Sequence, residues 1–137
     1  MFVYLAGPIK KDMQENRLYR ARATKYLQDL KIDVFDPAAA WGMGAQVDST
    51  SHSAALINLL AVKQSALVLA HYHPSSFGTN LEVGYKLAFN KPVVMWGKEV
   101  IEATSAMLRH PDITKCYSLE EALSAVATLL LGPGSRP

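Results

Sequence analysis

A single cysteine, Cys116, occurs in 137 residues, which excludes an internal disulfide and leaves no CxxC or Cys/His set at metal-ligand spacing. His71 and His73 alternate along the chain, but no third ligand lies at suitable spacing. A reducing, cytoplasmic setting is expected, with no structural metal. Long apolar runs are missing as well: 50% of the residues are hydrophobic, yet no run approaches the length of a membrane span. Residues 1–6 are apolar but carry no basic segment and are too short for a secretion signal. Charge of one sign is scarce, with 14 Lys and Arg against 12 Asp and Glu, so neither a nucleic-acid polymer nor a membrane surface is the expected partner. No GxGxxG follows the first apolar run and no GxxxxGK[ST] occurs, which argues against the common dinucleotide and ATP sites.

What is present is an alternation of short apolar runs with longer amphipathic ones. A chain of this size removes about two-thirds of its unfolded surface from water, enough for one domain over residues 1–131, with a frayed tail at 132–137. Strands are expected at 2–6, 31–35, 66–70, 92–96 and, more weakly, 113–117. Helices are expected at 12–30, 52–64, 78–90, 99–109 and 118–131, the last opened by a capping box of Ser118 and Glu121. In the first helix Met13, Leu18, Tyr19, Ala23, Tyr26, Leu27 and Leu30 recur near the helical period. Lys10, Lys11, Arg17, Arg20, Arg22 and Lys25 crowd the same stretch, either as a solvated helix face or as a field drawing in small phosphorylated ligands. Residues 38–51, with Gly42 and Gly44, read as a long loop of the kind that often carries function. Strands separated by helices imply a Rossmann-like α/β fold, a three-layer sandwich around a five-stranded parallel sheet.

Such sheets bind ligands at the carboxyl ends of their strands, here residues 7–10, 36–41, 71–78 and 96–99. Just beyond one of these ends lies Glu82, in Ser76-Phe77-Gly78-Thr79-Asn80-Leu81-Glu82-Val83-Gly84-Tyr85. Thr79-x-x-Glu82 has the form of a capping box, which would give the carboxylate a purely structural task. Gly78 beside hydroxyl groups also leaves backbone N–H groups open at a helix start, as an anion requires.

Tyr4-Leu5-Ala6-Gly7-Pro8-Ile9, the Ser76 to Gly84 segment ending in Glu82-x-Gly, and Asn90-Lys91-Pro92-Val93 resemble, in the same order, the nucleoside 2-deoxyribosyltransferase superfamily over residues 2–110. The resemblance implies that Glu82 is a nucleophile at C1′ of a sugar and that Tyr4 helps to place it; a carboxylate suits an oxocarbenium-like transition state. Members acting on free nucleosides carry an Asp six residues before the nucleophile, where this chain has Ser76. A carboxylate there repels a 5′-phosphate and a hydroxyl can donate to one, and the spacing is similar to that of the 2′-deoxynucleoside 5′-phosphate N-hydrolases and cytidylate hydrolases. Ser105-Ala106-Met107-Leu108-Arg109 resembles a segment of those hydrolases whose Ser reaches the phosphate in the neighbouring subunit, which implies a homodimer. Gly7, Ile9, Lys10 and Gly78 match the phosphate surroundings. Asp36, Trp41, Asp48 and His52 lie in or beside the long second loop, where the family keeps base-contacting groups, with Asp36 and Trp41 as the base-pocket candidates. Asn58 departs from the pattern: the superfamily has an Asp at this place, twenty-four residues before the nucleophile, and Asn cannot act as a general base.

The expectation is an enzyme that cleaves the N-glycosidic bond of a (2′-deoxy)nucleoside 5′-monophosphate without a cofactor. A transferase exchanging nucleobases, and a nucleotide-binding module without turnover, are the alternatives.

Overall fold

The computed structural model describes residues 1–9, 14–41 and 52–137. β1 (Phe2–Ala6), β2 (Asp33–Phe35), β3 (Leu67–His71), β4 (Val93–Trp96) and β5 (Ile113–Cys116) form one sheet in the order β2-β1-β3-β4-β5. Every neighbouring pair is parallel. The order reverses between β1 and β3, so the crevice for a ligand lies beyond the carboxyl ends of these two strands.

The central strands β1 (from Val3), β3 and β4 are buried on both faces, as apolar runs without alternation require, while the edge strands β2 and β5 are partly exposed. Val3, Leu5, Leu67, Leu69, Val94 and Trp96 face one way, against Tyr19, Ala23 and Leu27 of α1 (Gln14–Asp29) and Ala122, Leu123 and Val126 of α6 (Leu119–Leu131). Tyr4, Ala6, Val68, Ala70, Val93 and Met95 face the other, against Ala61 and Val62 of α3 (His52–Gln64) and Val83 and Leu87 of α4 (Phe77–Leu87). This is the expected three-layer sandwich. Each fully buried Leu or Val contributes about 1.5–3 kcal/mol, so the two cores dominate the stability.

Several boundaries differ from the sequence reading. α1 buries Asn16, Tyr19, Arg20, Ala23 and Leu27, at helical spacing, whereas Leu18 lies off this stripe and is exposed. Arg20 therefore leaves the solvated basic face expected of it and enters the core. Lys31, at φ 63°, closes the helix, with Ile32 N–H donating to Leu27 O at 2.9 Å, and β2 begins only at Asp33. The segment expected as a loop opens with a short helix, α2 (Pro37–Trp41), because Asp36 Oδ1 accepts from Ala38 N–H at 2.9 Å and Pro37 suits the first helical position. Residues 42–51, and with them Asp48, fall outside the described residues. His71 is in β3 instead of the following loop, its ring stacked on Trp96 at 3.9 Å. The helix expected at 99–109 is divided into α5 (Lys98–Glu102) and a 3-10 turn (Ala106–Arg109), where Ser105 Oγ takes the Met107 N–H and so competes with helix continuation. At the start of α6, Ser118 Oγ accepts from Glu121 N–H at 3.2 Å, while the Glu121 carboxylate turns to Tyr117 N–H. Among the described residues no helix is long and apolar enough to cross a membrane.

Among the described residues one charged side chain is wholly enclosed. Lys86 of α4 donates from Nζ to Val62 O at 2.9 Å and to Ser65 O, and so ties α4 to the carboxyl end of α3. Burial, with a small push from Lys91, lowers its pKa to about 8. A folded-state pKa below the unfolded one withholds stability at neutral pH and restores it as the neutral amine forms. Denaturant unfolding of the wild type, measured against Lys86→Met, is expected to gain stability between about pH 8 and pH 10.5, with most of the gain reached near the upper limit. Parallel pH curves for the two proteins would show that Lys86 titrates alike folded and unfolded.

Candidate active site

The carboxyl end of β1 runs into a turn at Gly7, where a φ of +153° strains any side chain and a Cβ would press on His71 Cβ at 3.3 Å. Tyr4 lies two residues before the end of the strand and points to the α3–α4 face. The register sets Tyr4 beside Phe35 of β2, and the two rings stack at 5.6 Å with 11° between planes. A buried aromatic so confined has its hydroxyl direction fixed by the sheet.

Across the crevice, Ser76 occupies the N-cap position of α4, and its Oγ shares a hydrogen bond with Thr79 Oγ1 at 2.7 Å. Thr79 is thus inside the helix, and the Thr79/Glu82 capping box does not form. Glu82 instead lies in the second turn, where its Oε2 accepts a hydrogen bond from the Tyr4 hydroxyl. Gly78 is exposed in the first turn, with nothing within 4 Å of where a Cβ would stand, so the backbone there is open to a ligand.

Both partners are electrostatically unusual. Burial raises Glu82 to about 7; the Tyr4 hydrogen bond and the Arg20 charge pull the other way without cancelling it. Burial also pushes the Tyr4 phenol far above its ordinary value, and the neighbouring Glu82 charge and hydrogen bond add to this. Tyr4 is therefore a permanent donor over the neutral range. Glu82 changes charge close to neutrality, a property concentrated at functional sites.

The remaining candidates are distributed unevenly. Asn58 is half-buried on α3, the helix packed beside α4. Ile9 is exposed beyond the Gly7 turn. Ser105 is exposed as the cap of the 3-10 turn, and its Oγ already accepts from Met107 N–H at 3.3 Å. Asp36 is held by Arg20, Oδ1 to Nη1 at 2.6 Å, and by Ala38 N–H, so one of its oxygens is committed to the fold. Lys10 and the Trp41 side chain lie outside the described residues, and His52 is exposed at the start of α3. Cys116 is buried, and burial raises its thiol pKa. No group of three His, Cys, Asp or Glu among the described residues could hold a metal ion.

Two residues at this end of the sheet escaped the sequence reading. Phe35 follows from register alone, once β1 and β2 are known to be parallel neighbours. Arg20 had a legible signal, since it falls on the stripe of Asn16, Ala23 and Leu27, but its charge argued for solvent.

The sequence model of the family described as nucleoside 2-deoxyribosyltransferase matches residues 3–114. Among curated proteins no match is found. Solved structures similar to the chain include a CMP N-glycosidase, BcmB, from Clostridium botulinum, at 17% identity and a TM-score of 0.66, covering 92% of this chain and 98% of that one. A 2-deoxyribosyltransferase from Bacillus psychrosaccharolyticus is 18% identical, with a TM-score of 0.65 and 90% of each chain covered. A conserved protein from Enterococcus faecalis V583 is 17% identical, with a TM-score of 0.66, and covers 95% of this chain and 99% of that one. At these identities the structures share the fold.

A carboxyl group whose folded-state pKa is raised stabilises the protein fully only below its unfolded value, and that stability is lost as pH rises through the folded value. For Glu82 the window runs from about 4.5 to about 7. Glu82→Gln, which keeps the shape and an acceptor for Tyr4, is expected to exceed the wild type by on the order of 2 kcal/mol at pH 8 and to match it near pH 4. Urea unfolding at the two pH values measures this, and a variant less stable at pH 8 would mean that the carboxylate is not strained.

Proposed function

The chain belongs to the nucleoside 2-deoxyribosyltransferase family, and from this premise we propose that it hydrolyses the N-glycosidic bond of a (2′-deoxy)nucleoside 5′-monophosphate to a free base and a (deoxy)ribose 5-phosphate. The observation that carries the proposal is the Tyr4–Glu82 hydrogen bond, which aims a half-buried carboxylate into the crevice where the strand order reverses.

With Oε2 held by the phenol, Oε1 is the oxygen left to attack C1′. The bond from C1′ to the base breaks, its electron pair leaves with the base nitrogen, and a glycosyl ester to Glu82 forms. Water then cleaves the ester; its hydroxyl goes to C1′, its proton finishes on the base, and Glu82 returns as a carboxylate. Two displacements retain configuration at C1′. Tyr4 stays protonated throughout and orients Glu82. Asn58 cannot remove the proton from water, so the departing base is the acceptor in this scheme.

Ser76 supports a phosphorylated substrate over a free nucleoside, because its hydroxyl and the open backbone at Gly78 can donate to an anion where a carboxylate would repel it. Further phosphate contacts are proposed for Gly7 and Ile9 and base contacts for Asp36, and these roles extend to Lys10 and Trp41 from the family resemblance alone. Binding energy from the phosphate would be used to position C1′. No cofactor takes part. Residues 1–131 act as one domain, with 132–137 as a tail, in the cytoplasm.

The proposal includes a homodimer in which Ser105 of one protomer completes the site of the other. Leu56, Ile57 and Leu60 of α3 and Phe77 and Leu81 of α4 are exposed on two helices that pack together, an apolar surface beside the Glu82 turn that a second copy would cover. Sedimentation analysis is expected to show a dimer that Leu56→Glu combined with Leu60→Glu converts to a folded monomer. A monomeric wild type would remove this part of the proposal.

Chromatography of free base released from ribo- and deoxyribonucleoside 5′-monophosphates, beside the matching nucleosides and with a second base added, tests the reaction. Release from monophosphates alone is expected, abolished in Glu82→Ala, with activity rising through about pH 7 as Glu82 ionises. A new nucleoside in the presence of the second base would assign the chain to the transferases, and binding without release would make it a nucleotide-binding module.

A further inference from the structure

Arg20 is the buried cation of the carboxyl edge, 5% exposed in the middle of α1. Its guanidinium forks: Nη1 donates to Leu5 O at 3.2 Å and to Asp36 Oδ1 at 2.6 Å, and Nη2 donates to Gly7 O at 2.9 Å. A single side chain thus fastens the end of β1, the Gly7 turn and the end of β2. Leu5 is the chain neighbour of Tyr4. Asp36 follows Phe35, the ring stacked on Tyr4. Both the strand that carries the phenol and the ring that confines it are therefore anchored to one guanidinium. Nε of Arg20 is buried and has no hydrogen-bond partner among the described residues.

We propose that Arg20 is a positioning residue for Glu82: its fork fixes the strand end that carries Tyr4 and the segment that carries Phe35, and with them the phenol that holds the carboxyl group. Its charge acts on Glu82 in the same sense, toward the carboxylate. This rests on the reading of Glu82 as the nucleophile. The ion pair with Asp36 is oriented, with the guanidinium as the end that Glu82 feels; Tyr4 feels both ends, with opposite signs. Among the described residues, Tyr4 from β1 and Arg20 from α1 are the ionisable groups that bear on Glu82, while Lys86 on its own helix is turned to α3. A neutral residue at position 20 would leave burial less opposed. Lysine could supply the charge but not a planar fork to three acceptors.

The test reads Glu82 directly, by carbon NMR titration of the carboxyl in protein labelled at Glu, with Glu82→Gln assigning the signal. Arg20→Gln is expected to raise the midpoint by about half a unit or more. Asp36→Asn breaks the same ion pair but keeps the cation, and is expected to leave the midpoint at or below the wild-type value. Arg20→Lys is expected to keep the midpoint while lowering kcat more than it raises KM. If Arg20→Gln does not fold, Arg20→Met combined with Asp36→Asn removes both buried charges and should show the same upward shift. A midpoint unmoved without Arg20, or moved equally by Arg20→Gln and Asp36→Asn, would overturn the inference and leave Arg20 a structural clamp. Variants that show the expected shifts beside a wild type that releases no base would refute the proposed reaction while upholding the role of Arg20 toward Glu82.

Discussion

The hydrogen bond between Tyr4 and Glu82 joins β1 to α4, two parts of the chain 78 residues apart. It requires a phenol in the core and a carboxyl group deprived of water, and neither is favoured in isolation. Desolvation of a carboxylate costs several kcal/mol when unrelieved, whereas one hydrogen bond to a charged group returns about 1.5–3. The balance left over is the raised affinity of Glu82 for its proton. Much of the surrounding architecture keeps that unfavourable arrangement from relaxing. Phe35 stops the Tyr4 ring from turning, Lys86 bolts the Glu82 helix to α3, and the Gly7 turn lets the backbone pass close to His71.

Apart from Ser65 and Lys86 at the end of α3, the buried polar groups gather at the carboxyl edge of the sheet. Tyr19 donates to Ala6 O at 3.1 Å and Leu69 O at 2.9 Å, and His71 Nδ1 meets Asn16 Oδ1 at 2.6 Å. The bonds of Tyr19 and Arg20 give donors to carbonyl groups of Leu5, Ala6, Gly7 and Leu69 along the carboxyl halves of β1 and β3 and at the Gly7 turn. Burial lowers the His71 pKa, so the imidazole stacked on Trp96 is held toward its neutral form. The layer of α1 thus supplies hydrogen-bond donors to the strand ends, and the layer of α4 supplies the Glu82 carboxyl. The sheet between them sets the distance.

The fold was legible because apolar runs and helical stripes are statements about burial, and burial dominates this structure. Glu82 and Tyr4 were legible only through resemblance: Thr79-x-x-Glu82 has the same spacing whether or not it caps a helix, and what decides is Ser76 taking the cap position. Arg20 was misread because charge outweighs periodicity when a helix is read alone; a guanidinium becomes a core residue when strand ends offer carbonyl groups to it. The break at residues 103–105 was illegible for a similar reason, since Ser105 chooses between continuing a helix and bonding its own backbone. Parallel register, which sets Phe35 against Tyr4, is a property of two segments at once, and no window along the sequence contains it.

The strand order has a consequence for how the molecule comes into being. β1 lies between β2 and β3, so a growing chain can give it a neighbour on one side early and on the other only after α3 has been made. Tyr4 and Glu82 are 78 residues apart, and closing so long a loop comes after local contacts have formed. During synthesis the phenol therefore waits on an open sheet edge until β3 and the first turns of α4 leave the ribosome. A truncated chain ending before residue 82 would keep the strands β1 to β3 yet carry no carboxyl for the phenol to hold, so the Tyr4–Glu82 contact needs the first three strands and α4 but precedes β4, β5 and α6 in synthesis.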